Sequence, residues 1–193
     1  MIDYIHGKIT ELTPAFVVVE TGGIGYFISI SLNTYTQLNS LETCKIFVHE
    51  VIREDAHSLY GFFTKSEREI YQLLISVSGI GPNTARMILS SMLPNEVEMC
   101  ILANDVNAFK NIKGIGLKTA QRIIVDLKDK VGKSEISDNI FVLPNNTKKD
   151  ESLSALVMLG FNKKNSEKLI DKLISEKPNI TVEDLIKEAL KTL

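Results

Sequence analysis

With 193 residues, 44% of them hydrophobic and 24% charged, the chain has room for one ordinary domain or two to three small ones, and no run in it approaches the roughly 18 apolar residues of a membrane span. Its N-terminus, Met1-Ile2-Asp3-Tyr4, lacks the basic stretch, apolar core and small-residue site of a secretory signal, so a soluble cytoplasmic protein with no membrane partner is expected. Cys44 and Cys100 lack any Cys-x-x-Cys or Cys/His spacing, which leaves little case for zinc, an iron–sulfur cluster or a disulfide framework, and no metal or cofactor is expected.

Residues 1–64 read as β-structure, because β-branched and aromatic residues recur in short runs at 4–12, 16–20, 25–31, 45–52 and 58–63, and Gly22-Gly23 marks a tight hairpin. Five strands in about 60 residues fit an OB-like barrel better than a sandwich. Such a barrel can bind oligonucleotides or serve only as a structural or oligomerising unit, and the strands do not choose between the two. From Ser66 the apolar period becomes helical. Ile70, Leu73, Leu74 and Val77 form one stripe and further stripes run through 85–92, 97–102 and 119–127, giving a second, all-α domain over residues 65–133.

Residues 134–149 are rich in Ser, Asp, Asn, Pro, Thr and Lys and read as a flexible linker, whose coil would span about 20–25 Å. Residues 150–193 then predict three short helices: Gly160 breaks the first, Pro178 follows the second, and Thr181 with Asp184 caps the third. The fold class is α+β multidomain. A unit of about 45 residues is marginal alone, so its apolar face is either core or a surface kept for a partner.

The net charge of −2 argues against a uniformly basic nucleic-acid binder, but the charge is uneven. Residues 1–64 carry three Lys/Arg against seven Asp/Glu, residues 65–133 ten against seven, and residues 134–193 nine against ten, so only the middle segment is positive. That segment also contains a repeat. Ser78-Gly79-Ile80-Gly81-Pro82-Asn83-Thr84-Ala85-Arg86-Met87-Ile88 recurs 35 positions later as Lys113-Gly114-Ile115-Gly116-Leu117-Lys118-Thr119-Ala120-Gln121-Arg122-Ile123, and each copy has a helical stripe on either side.

Helix, Gly-Ile-Gly turn, helix is an anion-binding arrangement. Gly79, Gly81, Gly114 and Gly116 allow a phosphate close to the main chain, and the N–H groups that open the following helix point at it with the positive end of the helix dipole. Ile80 and Ile115 can plug each hairpin, Ala85 and Ala120 let its helices approach, and Lys113, Lys118, Arg86, Arg122 and Lys128 add longer-range attraction. A single Gly-x-Gly is more often a capping turn, but two copies in a basic segment favour phosphate binding. Contacts of this kind hold phosphates rather than base edges, so binding directed by DNA structure and sensitive to salt is expected.

These motifs are those of the helix-hairpin-helix family, and across the whole chain their order resembles the RuvA family: a β-domain containing Arg53-Glu54-Asp55-Ala56 and Leu59-Tyr60-Gly61-Phe62, the paired turns, and a C-terminal unit containing Leu159-Gly160-Phe161. The resemblance implies an OB barrel, a tandem helix-hairpin-helix domain and a mobile three-helix, UBA-like domain, in a homotetramer or two stacked tetramers that hold a Holliday (four-way) junction open. Read from the residues alone, Glu54 and Asp55 are a solvated turn; the resemblance makes them an acidic pin that obstructs intact duplex at the centre. No Gly-x4-Gly-Lys-Ser/Thr loop is present, so no ATP site and no catalytic residue are expected. The resemblance supplies the motor as the RuvB ATPase, docked on residues 150–193, and the RuvC resolvase in the same pathway; it does not say which residues touch the motor, and Leu159, Phe161 and Leu173 are named as candidate contacts. This sequence departs from relatives at Asn83 and Leu117, where extra lysines are common.

An enzyme reading competes, because Lys118 stands where helix-hairpin-helix DNA glycosylases carry a catalytic lysine. Those enzymes also need a carboxylate some 18 residues on, a larger base-flipping pocket and often four cluster cysteines. Here Asp138 falls in the linker and there are two cysteines. A general duplex binder without a motor is the other alternative, and it predicts equal affinity for duplex and junction.

Overall fold

Alternation of apolar and polar residues produces strands β1 (Tyr4–Leu12), β2 (Phe16–Thr21), β3 (Ile24–Ile30), β4 (Thr43–Ile52) and β5 (His57–Phe62) in a computed structural model that describes residues 1–131, 147–178 and 180–192. β1 pairs antiparallel with β2 and with β4, β2 with β3, and β4 with β5; β3 runs parallel to β5, which closes a barrel in the order β1-β2-β3-β5-β4. Gly22 and Gly23, both at positive φ, make the two-residue β2–β3 turn. Inward-facing Ile5, Val17, Val19, Ile28, Ile30, Ile46 and Val48 fill the barrel.

The sequence reading left residues 32–42 without an element, and the structure places helix α1 (Leu32–Leu38) there. Ser31 caps it, accepting the Thr34 N–H at 3.0 Å, and Leu38 closes the barrel core. The helices α2 (Lys65–Ile75), α3 (Pro82–Ser91), α4 (Pro94–Leu102), α5 (Val106–Lys110) and α6 (Leu117–Val131) follow. Their apolar faces share one core with Tyr60 and Phe62 of β5, so the barrel and these helices are packed as one compact unit, residues 1–135.

The second compact unit, residues 136–193, is described from Thr147 onward, where α7 (Thr147–Met158), α8 (Lys163–Glu176) and α9 (Val182–Thr192) enclose Leu153, Leu156, Ile170, Leu173, Leu185 and Ala189. Gly160, at φ +95°, ends α7 with the Phe161 N–H donating to Leu156 O and the Gly160 N–H to Val157 O. Asn162 caps α8, and Thr181 accepts the Asp184 N–H at 3.2 Å to cap α9. α7 begins inside the span read as linker, its first turn fixed by Lys149, which pairs with Asp171 of α8 at 2.6 Å and with Glu167 at 3.7 Å. Most of that span, 134–146, lies outside the described residues.

Candidate nucleic-acid interface

The repeat in sequence is a repeat in geometry. Gly79 and Gly114 sit at φ +94° and +89°, a conformation that other residues adopt only with strain. The Ile80 N–H donates to Val77 O at 3.0 Å and the Ile115 N–H to Ile112 O at 3.1 Å; the Ala85 N–H donates to Gly81 O and the Ala120 N–H to Gly116 O, each at 3.0 Å. Ile80 and Ile115 are buried plugs, and Ala85 and Ala120 are fully buried between helices. Both turns therefore deliver the chain into a helix N-terminus in the same way, α2–α3 at the first and α5–α6 at the second.

Gly81 and Gly116 are explained differently from Gly79 and Gly114. Neither has positive φ, and a Cβ built on either would meet nothing within 4 Å. No internal contact demands glycine there, so what their bareness provides is room at the surface. Gly81 caps α3 without a side-chain hydrogen bond and Pro82 follows it, so the amides of the first helical turn are left for an external acceptor.

The cations offered by the sequence divide into two groups. Lys113 and Lys118 are exposed around the second turn. Arg86 instead turns to the barrel, its Nη1 donating to Ala15 O at 2.8 Å and to Ile30 O at 3.4 Å. Arg122 donates to Ser78 O at 3.1 Å, linking the second hairpin to the rim of the first turn, and Lys128 bonds Asn104 Oδ1 at 2.9 Å. Of the two positions where the sequence departs from relatives, Asn83 accepts a long bond from Tyr60 Oη at 3.4 Å and Leu117 is half in solvent. The sequence reading did not single out Asn33, whose amide donates to Leu89 O and Met92 O and so joins α1 to the end of α3.

Glu54 and Asp55 are exposed at the tip of the β4–β5 hairpin, which the Arg53 N–H closes onto Ala56 O at 2.8 Å. Below the tip Glu50 is held by the Ile2 N–H at 3.1 Å and by His57 at 3.0 Å, contacts that keep its carboxyl below the usual range. In the second unit Leu159 is 60% exposed and Phe161 half-buried, but Leu173 is a buried core residue and presents little surface. Met158, 86% exposed beside Leu159, is the large apolar residue that helical periodicity had concealed. Asp138, the carboxylate weighed for a lyase, lies outside the described residues. Among the described residues no cluster of His, Cys, Asp or Glu could hold a metal, and no helix is long and apolar enough to cross a membrane.

Residues 1–61 match the family model of the RuvA N-terminal domain, 71–129 that of the SAM-like helix-hairpin-helix tandem and 147–193 that of the RuvA C-terminal domain. The chain is 50% identical over 193 residues to a protein of Christiangramia forsetii and 51% identical over 193 residues to one of Flavobacterium psychrophilum, with both partners covered in full in each case. The chain belongs to the RuvA family. A Bacteroides fragilis relative is 48% identical over 201 residues, again covering both chains in full, and all three are named Holliday junction branch migration complex subunit RuvA. The RuvA match brings the barrel, the paired hairpins and the three-helix unit under one known domain order, the order in which the sequence reading placed them.

Proposed function

We propose that this chain is the non-catalytic junction-binding subunit of a branch-migration complex acting in recombination and DNA repair in the cytoplasm. Its partners are four-way junction DNA, further copies of itself in a homotetramer or two stacked tetramers, a RuvB-type ATPase motor, and a RuvC-type resolvase in the same pathway. The observation that carries this reading is the pair of Gly-Ile-Gly turns with matching φ and hydrogen bonds, and with bare, uncrowded Gly81 and Gly116 before helix N-termini. Two such turns make a phosphate grip on a duplex backbone without reading its bases.

In this reading Gly79, Gly81, Gly114 and Gly116 shape the grip, Lys113 and Lys118 attract the backbone, Glu54 and Asp55 form the pin, and residues 150–193 dock the motor through the exposed Met158–Leu159 patch and Phe161. In the same reading residues 1–64 are the barrel and 65–133 the grip. The test is competition binding, at stated salt with magnesium, between a synthetic four-way junction and linear duplex of the same sequence and length. Strong junction preference that disappears when the four glycines are replaced supports the reading; equal affinity reduces the chain to a general duplex binder.

A further inference from the structure

Pairing of two identical turns suggests two equivalent grips, yet their surroundings differ. Around the first turn the cation faces the protein: Arg86 donates to Ala15 O and Ile30 O at the barrel rim, and exposed Asn83 accepts a long bond from Tyr60 of β5, the strand that leaves the acidic hairpin. Farther along the same helix, Asn33 bonds the carbonyls of Leu89 and Met92, and Ser90 Oγ accepts the Leu32 N–H at 3.1 Å. α3 is thus fastened to the barrel from its second turn to its end. Around the second turn Lys113 and Lys118 stand in solvent and make no ion pair among the described residues.

We infer that the two hairpins divide the work: the second supplies the electrostatic, salt-sensitive attraction, whereas Arg86 is a positioning residue that fixes the first turn against the barrel and so sets the distance between grip and acidic hairpin. This rests on the phosphate-grip reading above. Both bonds leave one nitrogen, Nη1, at the end of a planar guanidinium; a lysine ammonium has donors enough but ends a flexible stem one atom shorter, so charge alone does not hold Arg86's position. A cation that neutralises a phosphate releases a counterion, and its loss lowers the slope of log K against log salt by about one; a cation bonded within the protein leaves that slope where it was.

The experiment measures junction affinity of the full chain across a salt series, well below its unfolding temperature, for the wild type, Arg86→Gln, Arg86→Lys and Lys118→Gln. Expected are a slope lower by about one for Lys118→Gln, and for both Arg86 variants an affinity loss of about fivefold or more at unchanged slope, since the first turn is no longer held in its binding geometry. Hydrogen exchange should quicken at the Ile80 and Ala85 amides of the Arg86 variants, which are bonded within the first turn, and stay unchanged at the matching Ile115 and Ala120 amides. Should Arg86→Gln fail to fold, Arg86→Lys carries the test. Wild-type binding combined with an Arg86→Gln slope lower by about one that Lys restores, or with Arg86 variants that bind like wild type, overturns the proposal alone. A wild-type chain that binds no DNA overturns the grip reading beneath it.

Discussion

At the scale of single residues the four glycines separate into two kinds, and alanine distinguishes them. Gly79 and Gly114 hold positive φ, so alanine there costs about 1–2 kcal/mol of backbone strain each and disturbs the turn itself. At Gly81 and Gly116 a methyl meets open space, so Gly81→Ala with Gly116→Ala should move the urea midpoint by the equivalent of at most about 1 kcal/mol per site. The same methyls stand where a phosphate must approach, and junction affinity should fall at least about tenfold, a loss of roughly 1.4 kcal/mol. Unaltered affinity in that variant would show the two glycines to be caps and nothing more. The acidic pair calls for the opposite result. Glu54 and Asp55 are exposed, so Glu54→Gln with Asp55→Asn should leave stability within about 0.5 kcal/mol, leave junction binding equal or tighter, and change the rate of motor-driven migration. An unchanged rate would leave the hairpin tip without a role as a pin.

At the scale of elements, what the sequence made legible was whatever depends on neighbours in the chain. The five strands were readable because alternation and turn residues are local signals, and the turns because their glycines repeat. Helix α1 was not, since its apolar residues Leu32, Tyr35 and Leu38 cover less than two turns and its cap depends on a residue 36 positions away. That residue is Glu67, buried in α2, where it accepts from Ser31 Oγ at 2.5 Å, Thr34 Oγ1 at 2.7 Å and the Phe63 N–H at 3.3 Å. Burial raises its carboxyl above the ordinary 4.5, against the opposing pull of those three hydrogen bonds. The folded chain therefore keeps this proton to higher pH than the unfolded chain. The stability it contributes is present below the ordinary value and declines as pH rises through the raised one. Glu67→Gln removes that decline, so the stability of the variant relative to wild type should increase from pH 4.5 upward, as read from paired urea titrations. A difference that is flat with pH would mean that the folded and unfolded chains release this proton at the same pH. Arg86 shows the same limit of local reading: a sequence reports a cation beside a turn, but only the fold shows it facing two carbonyls of the barrel rim.

At the scale of the molecule, residues 1–135 and 136–193 are separate compact units with separate cores. The proposed grip and the acidic hairpin both lie in the first, whose buried core among the described residues is drawn from residues 5–131. Among its described residues the second unit has a small core of six buried apolar side chains and an exposed apolar patch at Met158 and Leu159, which a partner surface would cover. Of the three candidate contacts on this unit Leu173 is buried, because a sequence marks Leu173 and Leu159 alike as apolar and only packing separates them. A chain lacking residues 147–193 should accordingly bind the junction within about twofold of the full chain, a difference near 0.4 kcal/mol, and should no longer stimulate a RuvB-type ATPase. Met158→Asp with Leu159→Asp in the full chain should reproduce the second effect without the first, because both side chains are exposed and their replacement leaves the core intact. If the truncated chain still stimulates the ATPase, the motor engages the first unit. If truncation abolishes stimulation and the double aspartate variant does not, the second unit docks the motor through another face.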